Sequence, residues 1–322
     1  MAIIEKNNFP RIITHKYKTN FIKDRFYKAV GHELNLDNPQ TFNEKLQWIK
    51  LYYHNPLMTK CTDKFTVREF IAHTIGKKYL TKLVGEQVYY DARKIDFDKL
   101  PNRFALKANN GSGTNIICGD KAKLDIADAR DKLNHWLKKG HSNYYHSFEW
   151  AYKHIKPCII AEAFIEEKGG LKDYKFLCFN GRCELISVFS ERISGELKLD
   201  WFDRDWQHLP FIRHYPNNPK KIAKPKNLAK MIKIAEKLAQ SFPFVRVDLY
   251  EINGQIKFGE MTFTPGNGMV PFRPKTWDKK LGDLLQLPHK TFYAPFEFNK
   301  RTIRPRATGQ EKVYHNNGKE RQ

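Results

Sequence analysis

Apolar positions in the first 75 residues recur at helical spacing. Thr41-Phe-Asn-Glu44 has the spacing of a capping box, in which the Thr and Glu side chains satisfy free backbone N–H groups at a helix start. It predicts a helix whose apolar face is Leu46, Ile49 and Tyr53. A second helix is predicted after Asp63, where Phe65, Val67, Phe70 and Ile71 recur, ending near Gly76. Beyond that point the texture becomes β-like. Residues 80–90, 103–108 and 115–118 read as strands, the last two joined by the Gly-rich turn NNGSGTN. Residues 125–139 predict an amphipathic helix (Ile126, Ala129, Leu133, Leu137) closed by Gly140. The apolar run 157–165 reads as a buried segment. Residues 175–190 and 245–262 read as hairpins turning at Asn180-Gly181 and Asn253-Gly254, because Asn-Gly accepts the positive φ a tight turn requires. A helix at about 227–240 lies between them. Strand pairs alternating with single helices imply an α+β fold rather than a doubly wound sheet.

Composition narrows the class. With 41% hydrophobic and 29% charged residues, the 322-residue chain can build a full core and does not resemble a disordered polymer. No apolar run approaches the ~20 residues a membrane-spanning helix needs. The first 20 residues interleave charge with single apolar positions, unlike a secretory signal. Cys61, Cys118, Cys158, Cys178 and Cys183 are scattered without a CxxC pair, which argues against a disulfide framework or zinc site and for a reducing, cytoplasmic setting.

Lys+Arg outnumber Asp+Glu 57 to 35, a net +22. Residues 1–30 and 299–322 each carry seven Lys/Arg against two acids, and residues 220–237 carry seven Lys and one Glu. The plain reading is solvated surface. The sharper one is a cationic skin that gives peripheral contact with the anionic inner face of a membrane or with acidic polymers. Without an RNA-recognition motif, a zinc finger or a basic recognition helix, no nucleic-acid partner is expected. The tail after Ile303 is polar and aperiodic, and disorder is expected there.

The Gly-rich turn carries the first chemical signal. It is neither a P-loop nor GxGxxG, and it leads into a strand instead of a helix. What remains is a flap, with Lys107 just ahead and Gly111 and Gly113 freeing backbone N–H groups to face an anion. The second signal is Val-Arg246-Val-Asp248 on one strand and Gly-Glu260-Met-Thr262 on its partner. A two-residue turn at Asn253-Gly254 would set Asp248 opposite Gly259. A three-residue turn, Asn253-Gly254-Gln255, would set Asp248 opposite Glu260 and Arg246 opposite Thr262. The second register is adopted here. Converging carboxylates without histidine suit Mg²⁺ carried by nucleotide phosphates, whereas carboxylates paired with Arg246 or Lys257 at the surface would be the plain alternative.

A lysine, a Gly-rich flap, a strand ending in Glu, an Asp on a strand and then Glu-x-x-x-x-Pro-Gly occur in an order that resembles the ATP-grasp superfamily. Glu260-Met-Thr-Phe-Thr-Pro-Gly266 keeps the spacing of the Glu-x-Asn-Thr-x-Pro-Gly of D-alanine ligase types. FNEKLQW (42–48), TDKFTVREF (62–70), FEWAYKHIKPCIIAE (148–162), DYKFLCFNG (173–181) and GEMTFTPGNG (259–268) further resemble the TupA-like branch, named for a teichuronopeptide-biosynthesis protein. The resemblance covers about residues 40–290. It implies an ATP-grasp fold of two α+β subdomains gripping a nucleotide: a helical N-terminal region (1–75), a lid and flap subdomain (76–168), a metal and acceptor subdomain (169–298), and a basic tail (299–322).

It also implies roles. Lys64 and Lys107 would contact the nucleotide, and Asn110, Gly111, Ser112, Gly113 and Thr114 would close over its phosphates. Glu162, Ala163 and Phe164 would form the strand that meets adenine, with Glu162 or Glu166 holding the ribose. Asp248, Glu260 and Thr262 would hold Mg²⁺, with Thr262 replacing the usual Asn. Lys175 and Arg246 would stabilise the transferring phosphoryl group. Gly266, Asn267 and Gly268 would line the acceptor site, and Arg192 would touch substrate. The implied activity is ATP-dependent joining of a small-molecule or glycan-linked carboxylate to an amine through an acyl phosphate, in cell-surface polysaccharide biosynthesis. A glycosyltransferase or phosphotransferase of the same pathway is the alternative. A non-catalytic polyanion-binding module is a third reading, and it would make the Asp248/Glu260 pair accidental.

Overall fold

The computed structural model describes residues 14–139, 143–166, 172–190 and 197–291. The expected cap Gly140, Arg192 and the basic tail 299–322 lie outside the described residues.

Four helices come first: α1 (His15–Val30), α2 (Phe42–Tyr52), α3 (Pro56–Thr62) and α4 (Val67–Thr74). The capping box at α2 forms as the sequence predicts, with Thr41 and Glu44 satisfying each other's backbone N–H groups. The second helix starts later than Asp63, because the Asp63 carboxylate accepts from the N–H groups of Phe65 and Thr66 and holds residues 63–66 in a turn. Lys64 therefore sits on a turn rather than on a helix.

Two antiparallel sheets follow. The smaller contains β1 (Leu83–Tyr89), β2 (Phe104–Ala108), β3 (Asn115–Cys118) and β4 (Ile159–Ala163), in the order β1-β4-β2-β3. Helix α5 (Ile126–Lys139) lays Ala129 and Leu133 into this sheet's own hydrophobic cluster, with Phe104, Leu106 and Ile159. The larger sheet contains β5 (Asp173–Phe179), β6 (Arg182–Ser190), β7 (Lys198–Phe202), β8 (Phe244–Ile252) and β9 (Gln255–Thr262), in the order β7-β6-β5-β8-β9. Both Asn-Gly turns adopt the expected positive φ, at 49° and 84° for Asn180-Gly181 and 48° and 76° for Asn253-Gly254.

The short helix α6 (Asn143–Ser147) lies between α5 and β4 in the chain; α7 (Leu228–Ala239) and α8 (Thr276–Leu284) belong to the larger sheet's half. The apolar stripe of α7 (Leu228, Met231, Ile232, Ala235, Leu238) is buried in a cluster with the larger sheet. The N-terminal helices join that same cluster: Phe42, Leu46 and Ile49 of α2 are almost completely buried in it. Phe42 stacks edge-on to Phe244 with ring centroids 4.9 Å apart. Among the described residues, no helix is long and apolar enough to cross a membrane.

Candidate active site

A cavity of about 440 Å³ is lined by residues of both sheets and of the turn before α4. The larger sheet contributes Asp173 and Lys175 from β5, Arg246 and Asp248 from β8, and Glu260 from β9. Period-2 alternation puts Asp173 with Lys175 on one face, and Arg246 with Asp248 on one face. Pairing of β5 with β8 then sets Lys175 directly opposite Asp248. The Lys175 ammonium bridges Asp173 (2.6 Å) and Asp248. The Arg246 guanidinium donates to both oxygens of Asp248 (2.7 and 2.8 Å) and to Glu260 (2.6 Å). This cluster lies in the cavity, with the side chains of Lys175 and Asp173 only 9% exposed, not at the surface.

The register of the β8–β9 hairpin corrects one expectation. The turn has two residues, with Ile252 opposite Gln255, not the three adopted from the sequence. The ladder then shifts between Val247 and Leu249: Leu249 pairs with Phe258, but Val247 pairs with Met261. One residue, Asp248, thus faces two, Gly259 and Glu260, in a β-bulge. Beyond the bulge Arg246 stands opposite Thr262, as expected, for a different reason. Gly259 permits the crowding, since a Cβ there would lie 3.0 Å from the Asp248 carbonyl oxygen and 3.1 Å from the Tyr250 ring.

Electrostatics separates the two carboxylates. Burial pushes Asp248 up to about 6, with Asp173 and Glu260 adding repulsion, against the pull of Arg246 and Lys175. For Glu260 burial also pushes upward, but Arg246, Lys64 and Lys175 outweigh it and hold the group at about 2. Its side chain is 39% exposed into the cavity, so it is the more accessible carboxylate.

On the facing side, the Lys107 ammonium on β2 lies 2.6 Å from Glu162 on β4, and Arg68 on α4 lies 3.0 Å from the other Glu162 oxygen. Gly111, Ser112, Gly113 and Thr114 line the cavity above them. The Lys64 ammonium donates to the Gly111 carbonyl and so ties the flap to the turn before α4. That turn is itself pinned, because Asn109 donates to Asp63 (2.9 Å). Burial lowers the pKa of Lys64, with Glu260 opposing.

Other expected residues are distributed less simply. Asn110 is buried at the base of the flap, and Ala163 and Phe164 do not line the cavity. The Phe164 ring lies under the Arg103 guanidinium, which pairs with an exposed Glu166 at 2.7 Å. The Thr262 hydroxyl is 3.2 Å from Glu260, to which it donates, and lies outside the cavity lining. Gly266 lines a neighbouring cavity, whereas Asn267 and Gly268 turn to α2. There Gln47 donates to the carbonyls of Asn267 (3.0 Å) and Gly268 (2.7 Å), and Lys50 donates to the Asn267 side-chain oxygen (2.7 Å). The sequence reading missed Arg68 and the buried polar stripe Asn43, Gln47 and Lys50. The stripe's spacing of four and three was visible as a polar line on an otherwise buried helix face.

The donor set fits Mg²⁺. Asp248 and Glu260, two hard oxygen donors on adjoining strands, converge on the Arg246 guanidinium at the bulge. Mg²⁺ binds through one or two carboxylates, with the remaining positions taken by phosphate oxygens and water. Asp248 and Glu260 would hold it.

A strand–Gly loop–strand flap over one sheet, facing a Lys/Arg/carboxylate cluster on another, defines an ATP-grasp architecture. The family model described as TupA-like ATPgrasp matches residues 44–286, and the chain belongs to that family. The sequence matches none of the curated proteins compared. Among solved structures it is similar to D-alanine–D-alanine ligase from Bacillus anthracis (16% identity, TM-score 0.38, covering 63% of this chain and 57% of that one). The same ligase complexed with ATP gives 15% identity and a TM-score of 0.36, covering 63% and 55%. The ATP-grasp ligase PsnB, complexed with a phosphomimetic variant of its minimal precursor, Mg and ADP, gives 9% and 0.34, covering 66% and 52%. The chain thus spans less than two thirds of the length of these proteins.

Proposed function

We propose that this protein is an ATP- and Mg²⁺-dependent ligase that joins a carboxylate to an amine through an acyl phosphate, in the making of a cell-surface polysaccharide. One observation carries the reading: Lys107 and the glycine flap share a single cavity with the Lys175–Asp248–Arg246–Glu260 cluster. The triphosphate of ATP lies along Lys107 and the backbone N–H groups of the flap, and Arg68 keeps Glu162 paired when Lys107 turns to phosphate. An oxygen of the substrate carboxylate attacks the γ-phosphorus, and the bond to the ADP oxygen breaks. Lys175 and Arg246, fixed by Asp173, Asp248 and Glu260, face the charge that develops on the phosphoryl oxygens. Bound at Asp248 and Glu260, Mg²⁺ supplies further neutralisation of phosphate charge. The amine nitrogen then attacks the acyl carbon, phosphate leaves, and the surplus amine proton passes to phosphate or solvent. The Lys64 tie holds the flap down and keeps water from the acyl phosphate.

The family's TupA-like description and the net charge of +22 support a glycan pathway at the anionic inner face of the membrane. The test is ADP release by the full chain with Mg²⁺-ATP against panels of carboxylates and amines. ADP release that requires both supports the reading. Release of UDP from a nucleotide sugar, or salt-sensitive polyanion binding without turnover, would replace it.

A further inference from the structure

A second cavity, of about 340 Å³, adjoins the first: Ser112, Lys175, Phe189 and Arg246 line both. Its far end is formed by Arg213, Trp201, Tyr215, Gly266 and Val270. Arg213 is 5% exposed, and its guanidinium lies 4.7 Å from the centre of the Phe272 ring and 5.7 Å from that of Phe42. Its hydrogen bonds are long and go to neutral oxygens: Asn43 Oδ1 (3.3 Å), Pro265 O (3.2 Å) and Val270 O (3.4 Å). Among the described residues it forms no ion pair. The nearest countercharge, Asp278, is held by the backbone and side-chain N–H groups of Asn43 at 2.9 Å each. Burial accordingly lowers the Arg213 pKa to about 10, with Asp278 opposing and Arg246 adding to the drop.

The other Lys and Arg side chains that line the second cavity are committed, Lys175 to Asp173 and Asp248 and Arg246 to Asp248 and Glu260. A guanidinium removed from water without a carboxylate is costly, and an anion entering the cavity offsets that cost. Arg213 Nε donates to Val270 and Nη2 to Asn43 and Pro265, which leaves the two N–H groups of Nη1 to meet oxygens of a carboxylate or phosphate group. We infer that the second cavity holds the acid substrate, and that Arg213 binds a second anionic group of it, remote from the carboxylate activated at Lys175 and Arg246. This rests on the ligase reading and narrows its substrate class to acids with at least two anionic groups, whose body packs on Trp201 and Tyr215.

Trp201 supplies the readout. The full chain is titrated with malonate, with inorganic phosphate and with acetate at fixed ionic strength, following tryptophan fluorescence, with Trp201→Phe assigning the signal. Malonate or phosphate should change the fluorescence and acetate should act at least tenfold more weakly; whichever of the first two binds tighter identifies the second group. Arg213→Met should weaken that binding at least tenfold, and Arg213→Lys, which keeps the charge without the guanidinium, should weaken it less. Mg²⁺-ATP affinity, measured in parallel, should be the same in all variants and reports folding of the first cavity. If Arg213→Met fails to fold, the wild-type preference for malonate or phosphate over acetate and its reduction in Arg213→Lys decide the matter. Equal response to acetate, no response to any anion, or unchanged affinity in folded Arg213→Met would overturn the assignment. Loss of Mg²⁺-ATP binding in the wild type would instead overturn the ligase reading itself.

Discussion

Gly282→Ala should destabilise the protein by about 3 kcal/mol, although alanine is the better helix former. Gly282 lies in α8, and a Cβ there would fall 2.1 Å from the Gln40 carbonyl oxygen, 2.8 Å from the Thr41 carbonyl carbon and 2.9 Å from the Phe42 nitrogen. All three are backbone atoms at the start of α2, so no side chain can swing away. Restoring ordinary contact moves the two helices apart by roughly 1 Å. The same seam carries Asn43 on Asp278 at 2.9 Å and Lys45 on the carbonyls of Gly282 and Leu285 at 2.8 Å each. Overpacking costs about 1–3 kcal/mol. Weakening hydrogen bonds to the buried Asp278 carboxylate adds about 1.5–3 kcal/mol. The gain in helix propensity returns about 1 kcal/mol. Urea unfolding followed by circular dichroism measures the difference. A loss below about 1 kcal/mol, or a gain, would refute the close helix approach and the argument built on it. Because α2 also grips residues 267 and 268, turnover should fall with stability in the same variant.

Four further outcomes are expected. Glu260→Gln should reduce ADP formation about 100-fold or more while leaving the circular dichroism spectrum unchanged; retained activity removes Glu260 from the metal site. Lys107→Met should weaken ATP binding about tenfold, or 1.4 kcal/mol, by calorimetry; unchanged affinity contradicts its role. Gly259→Val should lose turnover and about 1–3 kcal/mol of stability, since its side chain must push aside the Asp248 carbonyl and the Tyr250 ring. The last outcome concerns pH. Burial holds Lys50 down at about 7, with Glu149 opposing, whereas an unfolded lysine titrates near ~10.4. Between those values the unfolded chain binds a proton that the folded chain does not, so this contribution to stability rises with pH from about 7 to about 10. Lys50→Met should flatten that rise in urea midpoints, and parallel slopes for the two proteins would show that Lys50 does not cause it.

Much of this was legible in the sequence because the governing chemistry is local. The capping box at Thr41, the two Asn-Gly turns and the strand–glycine loop–strand at 104–118 each depend on residues a few positions apart. Arg246, Asp248 and Glu260 could be grouped once alternation and a register were assumed, whereas Lys175 entered only through the family resemblance and its place opposite Asp248 came from the β5–β8 pairing. The bulge could not, because its cause is the close approach of Gly259 to a neighbouring strand, a distance no spacing rule encodes. The partners of Arg213 and of the α2 stripe were hidden for a related reason. Asn43 and Arg213 meet across 170 positions, and Gln47 and Gly268 across 221. Single polar residues in helices or loops read as solvated until a partner is known.

The kink at Gly259 has a consequence for how this hairpin tolerates change in length. Near the turn the two strands count in one phase and near the cluster in another, and the offset is one residue. Deleting Gly259 alone would remove the surplus residue and leave an uninterrupted ladder, with Ile252 still opposite Gln255 and Asp248 set against Glu260. Deleting one residue from the Asn253-Gly254 turn instead would leave too short a loop, force one arm to slip past the other by a single position, and turn the side chains of the moved arm to the opposite face of the sheet.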